Sequence, residues 1–320
     1  MTRDPTRLRE AMRRAPRPLE ERQARAHDEE VHPLWGARWK ALQLGVLPPV
    51  LGGAVLEIGC AAGALTASLV ERHQGKGRIV AIDESPGMLE RARAAVRGRP
   101  EAPVFFRNHD AHEKLPFAEE TFDHVLAGPG LGEAPDLGVA LADLVRVTAA
   151  GGQVVVAVPL AGTWDELLDL YAEVLRQRRP KAGAADAAGA GELALQEYRA
   201  HLPDGETLAQ TLERAGLIDV QIETTRWQLL FRSGREFFYA PVIETGPLPA
   251  WRAIAAEQGD MLEIFVALKE AIDIYFAGQA FAVSVVGAVA HGRKPAAAAS
   301  VAGTTSSAGP ADSPSPGDEA

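Results

Sequence analysis

The chain is 320 residues long, 47% hydrophobic and 24% charged, an ordinary globular composition with room for two domains or one large α/β unit carrying an insertion. A formal net charge of −10 argues against a broad nucleic-acid footprint, and a single cysteine, Cys60, excludes an internal disulfide and a multi-cysteine zinc site. No apolar run reaches the ~18 residues of a membrane span and the N-terminus lacks a signal-peptide core, so a cytoplasmic setting is expected.

In chain order, the first 25 residues mix eight arginines with Asp4, Glu10, Glu20 and Glu21. They suit either a basic arm for an acidic partner or a solvated terminal helix. In "HDEEVHPLWGARWK" (27–40), His32, Trp35, Arg38 and Trp39 cluster just ahead of the first strand. Packing of that helix onto the domain and lining of a pocket are both open to them.

From 53 to 160, strand-like and helix-like segments alternate: "AVLEIG" (54–59), "RIVAID" (78–83), "PVFFRN" (103–108), "FDHVLAG" (122–128) and "GGQVVVAVPL" (151–160) are the strands. Short β-branched runs separated by helices predict a parallel sheet covered on both faces, a doubly wound α/β domain with ligands at the carboxyl ends of its strands.

Beyond Pro159, Thr163 and Glu166 have capping-box spacing and predict a helix with Leu167, Leu168, Tyr171, Val174 and Leu175 inward. "PKAGAADAAGAGE" (180–192) reads as a flexible connection, and "GETLAQTLERAGL" as a helix stopped by Gly216. The alternation in "DVQIETTRWQLLFR" (219–232) changes phase after Ile222, which predicts a bulge near Thr225. Residues 233–278 read as helical, with Met261, Phe265, Leu268, Ile272 and Tyr275 as one stripe, and "FAVSVVGAVA" (281–290) as the last strand. The small-residue tail lacks enough apolar surface to fold.

The chemistry concentrates in "VLEIGCAAGALTASLV" (55–70). A strand, a small-residue turn and a helix start make a nucleotide-type loop, but Gly59-Cys60-Ala61-Ala62-Gly63 lacks the three-glycine spacing of a dinucleotide site. Glu57 lies just before the turn, where a carboxylate repels a pyrophosphate and suits an ammonium or a positive sulfur. Asp83 ends the second strand, where a carboxylate accepts from both hydroxyls of a ribose. Asp110 follows the third, placed to accept from an adenine amino group. An acid for an amine, one for a ribose and one for a purine edge describe S-adenosylmethionine. The cluster "HDAHE" (109–113) fits no zinc spacing, so no metal is expected. Nothing near Cys60 in sequence lowers its pKa, so it reads as a packing residue.

With "VLEIGCAAG", "VAIDESPGMLERA", "NHDAHEKLPFAEETFDHVLAG" and "LVRVTAAGGQVVVAVP" in that order, the stretch 53–160 resembles class I S-adenosylmethionine-dependent methyltransferases. The subgroup resembled is the small-molecule one that includes quinone C-methyltransferases and malonyl-carrier-protein O-methyltransferases. The resemblance implies a doubly wound, Rossmann-like, seven-stranded, mostly parallel sheet with an antiparallel last strand, an N-terminal helical cap and helical lid insertions. It implies that Glu57, Gly59, Cys60, Ala61 and Gly63 surround the methionine end of the cofactor. Asp83 then holds the ribose with Glu84 and Met88 beside it, and Asp110 and the backbone of Ala111 read the adenine. Two departures stand out. Ala61 replaces a usual glycine, which requires a negative φ there, and Ala149-Ala150 replaces a lysine–proline pair in a turn remote from the cofactor.

The expected organisation is an N-terminal arm or cap (1–45), a cofactor-binding core (46–160), lid insertions with the final strands of the same sheet (161–292) and a disordered tail (293–320). The expected function is methyl transfer to a small hydrophobic or amphipathic acceptor, at oxygen or carbon. His32, Trp35 and Arg38 are candidate acceptor contacts, and no residue identifies itself as a catalytic base. A nucleic-acid methyltransferase is the alternative, disfavoured by the acidic charge and by "AGPGLGE" after the fourth strand. A cofactor-binding protein without catalysis is the third reading.

Overall fold

The computed structural model describes residues 21–99, 103–178, 189–259 and 261–296. Strands β1 (Leu51–Ile58), β2 (His73–Asp83), β3 (Val104–Asn108), β4 (Phe122–Ala127), β5 (Thr148–Pro159), β6 (Ile218–Phe231) and β7 (Phe281–Arg293) form one sheet. Its order is β3-β2-β1-β4-β5-β7-β6. The first five strands run parallel, while β7 pairs antiparallel with both β5 and β6. Parallel central strands need cover on both faces, and Val154 through Val158 of β5 are accordingly buried without alternation.

The crossover helices begin where capping residues place them. Ser85 accepts from the Met88 N–H at the start of one, and Asp136 accepts from the Val139 N–H at the start of another. Asp204 caps a third, which ends at Gly216 with φ 100° as its sequence predicts. The strand order reverses between β1 and β4, and a crevice opens there at the carboxyl ends of the strands.

An N-terminal helical run lies over that crevice: α1 (Glu21–Ala26), a π-helical stretch (His27–Gly36) and α2 (Ala37–Val46). Pro33 sits inside the π-helical stretch, where its missing N–H breaks the α ladder. The Gln43 side chain donates to the Ala127 carbonyl at 3.0 Å and anchors α2 to the end of β4. Asp28 accepts two bonds from Arg91, at 2.6 and 3.1 Å, tying the run to the helix after β2.

Three expectations are corrected by tertiary context. The phase change in β6 is not a bulge at Thr225, because pairing with β7 is continuous from Gln221 to Phe231 and the irregularity falls between Ile218 and Gln221. The strand instead changes which face it buries. Val220 and Ile222 pack with Leu144, Leu208 and Leu212 on one side, while Trp227, Leu229 and Phe231 pack with Trp164 and Trp251 on the other.

The capping box is absent too. Beyond the pairing of Pro159 with Gly287, one edge of β7 has no strand partner, and its polar groups capture the would-be cap. Thr163 Oγ1 bonds the Val286 carbonyl and N–H, and Glu166 accepts from the Ser284 N–H at 2.8 Å. Of the stripe expected on the helix 261–275, Leu268 and Ile272 are buried and Phe265 packs partly buried against the same core; Ile264 joins them, while Met261 and Tyr275 are exposed. The five inward residues expected after Glu166 are all buried. Within 180–192, residues 190–192 already belong to a helix, Ala190–His201. The basic segment 1–20, residues 180–188 and the tail from 297 lie outside the described residues.

Candidate functional site

The loop after β1 hangs from the end of β2. Gly59 and Cys60 N–H both donate to the Ile82 carbonyl, at 2.9 and 3.0 Å. Asp83 then ties two turns together, accepting from the Ala61 N–H and the Ser85 N–H at 2.9 Å each. Each carboxylate oxygen keeps acceptor capacity beyond that one bond, so a vicinal diol still has partners. Burial raises the Asp83 carboxyl, and its bonds from Ser85 and Ala61 partly restore the charged form.

Ala61 departs from its expectation. Its φ is +45°, the left-handed region that a β-carbon disfavours by roughly 1–2 kcal/mol. Gly63 has φ +84°, and a Cβ there would stand 2.7 Å from Ala92 Cα. Gly63 thus permits close approach of the helices after β1 and β2, whereas a Cβ on Gly59 would meet nothing within 4 Å.

Glu57 is fully enclosed at the end of β1, and its Oε2 has no hydrogen-bond partner among the described residues. Burial pushes its carboxyl up to about 8; Thr66 opposes this in part and Asp83 adds to it. A buried orphan oxygen in a crevice wall is costly without a partner. A ligand ammonium placed there would supply the donor and the counter-charge together. Cys60 beside it is buried, and burial raises its thiol further, so it packs rather than attacks.

Asp110 turns the chain after β3, accepting from the His112 N–H at 2.8 Å. The His112 ring lies 3.3 Å from the same carboxylate. Among the described residues no three metal-ligating side chains converge.

These groups line one cavity of about 400 Å³. Glu57, Gly59, Cys60, Ala61, Asp83, Glu84, Met88, Asp110 and Ala111 form one part of its wall, with His32 and Trp35 roofing it. Gly63 and Arg38 are not in the wall. Arg38 lies 5.7 Å over the Trp227 ring instead. Trp39 lines the cavity and is also buried against Trp227, so the packing and lining roles coexist.

The remaining wall comes from residues that the sequence did not single out. Trp164 stacks on Trp35, with ring centroids 5.7 Å apart and planes 9° from parallel. A left-handed backbone, φ 68°, directs that indole into the cavity. Leu131 and Glu133 follow β4 and Pro159 ends β5; Tyr198 and His201 come from the helix Ala190–His201. Val242, Thr245, Pro249 and Ala250 close the far side. Among the described residues of 233–278, the cavity lining comes from 242–250; the helix 261–275 packs behind it. Tyr198 carries the nearest sequence signal, since Ala194, Leu195 and Tyr198 repeat at helical spacing.

A seven-stranded sheet of this order, with Glu57, Asp83 and Asp110 brought to one cavity at the carboxyl ends of β1, β2 and β3, has the architecture of the class I methyltransferases. The model of the ubiE/COQ5 methyltransferase family matches residues 30–227, and the chain belongs to that family. It is an S-adenosylmethionine-dependent methyltransferase acting on a small molecule. It is 28% identical over 189 residues to demethylmenaquinone methyltransferase of Lactococcus lactis, covering 58% of this chain and 73% of that one. It is 31% identical over 182 residues to the ubiquinone/menaquinone biosynthesis C-methyltransferase UbiE of Idiomarina loihiensis, covering 56% and 71%. A solved Bacillus halodurans protein assigned to the methyltransferases shares the fold at TM-score 0.50, with 17% identity over 80% of this chain and 97% of that one. No helix among the described residues is long and apolar enough to cross a membrane.

Proposed function

We propose that this methyltransferase acts on the ring of a hydroquinone or related phenol. The observation that carries the reading is the continuity of the cofactor wall with an aromatic one. Trp35, Trp164 and Tyr198 share a cavity with Glu57 and Asp83, and Leu131, Pro159, Val242 and Ala250 add apolar surface. Stacked indoles present broad faces to a planar ring, and small-molecule pockets of this kind take orientation from a few polar groups. The demethylmenaquinone methyltransferases among the relatives support a quinone-type acceptor.

In this reading, Glu57 holds the cofactor's ammonium, Asp83 its ribose and Asp110 with the Ala111 backbone its adenine. Met88 and Cys60 pack against it, Glu84 stands beside the ribose, and His32 and Trp35 exclude water from above. The bound cofactor supplies an electrophilic methyl group whose bonding electron pair leaves with sulfur. The chain aligns the acceptor carbon with that methyl group and keeps the space dry.

The test is transfer of labelled methyl to a panel of hydroquinones, monophenols and carboxylic acids, beside calorimetric titration with the cofactor. Hydroquinones should be methylated fastest, and Trp164→Ala should lower turnover at least tenfold while cofactor affinity stays within about threefold of wild type. Methylation of carboxylic acids but of no phenol would refute the acceptor assignment. The N-terminal helices and the segments after β5 act as cap and lid in the same scheme.

A further inference from the structure

Glu133 closes the short 3-10 turn Pro129–Glu133 that follows β4. That turn starts beside the cofactor wall, where the Gly128 N–H donates to the Ile58 carbonyl at 3.2 Å. Gly132 and Ala134 on either side are buried, yet the Glu133 side chain is accessible. The space it reaches is the cavity, whose wall it forms. Its carboxylate has no hydrogen-bond or ion-pair partner among the described residues. An accessible carboxylate without a protein partner is free to meet a ligand group in that cavity.

Its polar neighbours in the cavity are engaged otherwise. The His201 ring lies 3.1 Å from the Gly132 carbonyl, and the His112 ring bridges Asp110 and, at 3.3 Å, the Gly130 carbonyl. Tyr198 is held as the neutral phenol by burial, reinforced by the charge of Glu133. Desolvation by the surrounding cavity walls likewise raises the Glu133 carboxyl, although the residue keeps contact with the cavity space, with His112 opposing and Glu84 adding. A raised carboxyl is better matched to the proton of a phenol than an ordinary one.

We propose that Glu133 is the general base of the transfer, accepting the hydroxyl proton of the phenolic ring held beside Trp164 and Tyr198. The assignment rests on the aromatic-acceptor reading above. As the acceptor O–H bond breaks, an O–H bond forms on the Glu133 carboxylate. The electron pair stays on the acceptor oxygen and delocalises to the neighbouring ring carbon, which becomes the nucleophile. As the carbon–methyl bond forms, the methyl–sulfur bond breaks with its pair leaving on sulfur. The ring carbon then gives its own proton to solvent water, the C–H pair restoring the aromatic ring, and the oxygen is reprotonated from Glu133. One proton leaves per turnover and Glu133 returns to its starting state.

Three measurements test this on the full chain. Glu133→Gln should lower the single-turnover rate on a hydroquinone by 100- to 10,000-fold with cofactor affinity unchanged, and Glu133→Asp should recover part of it. At saturating cofactor, which removes the pH dependence that Glu57 gives to binding, the acid limb of the wild-type rate profile should lie above the ordinary carboxylate range and vanish in E133Q. Independently of turnover, 4-nitrophenolate binding at alkaline pH should take up about one proton in wild type and close to none in E133Q, because two adjacent anions share a proton. Calorimetry in buffers of different ionisation enthalpy reads that uptake.

Wild-type rate and wild-type proton uptake in E133Q would overturn the assignment while leaving the acceptor reading intact. An acid limb that survives in E133Q and disappears in His32→Ala would overturn it in favour of His32. A wild type that binds the cofactor but neither binds nor methylates any phenol would sink the acceptor reading and this base with it.

Discussion

The Ala61 N–H donates to Asp83 Oδ2 at 2.9 Å and so fastens the loop after β1 to the end of β2. One carboxylate shapes the loop and remains available to a ribose. The bond also holds Ala61 in a conformation that alanine by itself avoids.

Ala61→Gly should therefore stabilise the protein by on the order of 1 kcal/mol, since the left-handed penalty outweighs the extra chain entropy of glycine. Cofactor affinity should be equal or better. Chemical denaturation paired with calorimetric titration checks both. Destabilisation would show that the β-carbon makes a contact worth more than the strain.

Asp83→Asn retains the shape of the side chain but turns an NH2 group toward one of the two backbone donors it now satisfies. Charge-assisted hydrogen bonds contribute roughly 1.5–3 kcal/mol each, so cofactor affinity should fall by about 10- to 100-fold. S-adenosylhomocysteine titration measures the loss, and circular dichroism should show an intact fold.

The proposed contact of Glu57 with the cofactor's ammonium predicts pH-dependent cofactor binding. Burial holds its carboxyl at about 8 in the free protein, far above the ~4.3 of an unfolded chain. The folded state therefore binds more protons than the unfolded one between those values. Free-protein stability should decline as pH rises through that window and level off above it. Binding of an ammonium favours the carboxylate, so the cofactor should expel a proton near neutral pH and bind more tightly as pH rises toward 8. Glu57→Gln should abolish both the proton release and the slope, raise free-protein stability at pH 8, and cost at least 100-fold in affinity.

Asp28 and Arg91 clasp the N-terminal run over the cofactor wall, each side chain about 30% exposed. Ala24 packs beneath them against Ala62 and Met88. Arg91→Ala should speed cofactor dissociation several-fold and leave global stability within about 1 kcal/mol, because a partly exposed ion pair is screened by solvent. Stopped-flow release of a fluorescent cofactor analogue reads this directly. An unchanged rate would place the closing energy in Ala24 and Trp39 instead.

Gly287 lies under two indoles; a Cβ there would approach Trp39 Cη2 to 2.6 Å and Trp227 Cζ3 to 2.9 Å. Gly287→Ala should cost roughly 1–3 kcal/mol by overpacking, read as a lower melting temperature, and should shift the tryptophan fluorescence.

The amino-acid order alone determined the alternation of strands and helices from 53 to 160, the turn after Glu57, and the acids closing β2 and following β3. Those features are local. Burial on both faces writes a parallel strand as a continuous apolar run, and a binding loop at a strand's carboxyl end is a short contiguous pattern. What only the tertiary structure decided depends on partners far apart in the chain. Gly63 is required by Ala92, Thr163 and Glu166 answer to β7 rather than to their own helix, and β6 changes its buried face because different helices cover its two halves. Trp35, Glu133, Trp164 and Tyr198 meet in one cavity across more than 160 residues of sequence. No spacing rule encodes such a meeting, because it is fixed by which surfaces the folded helices bury against the sheet.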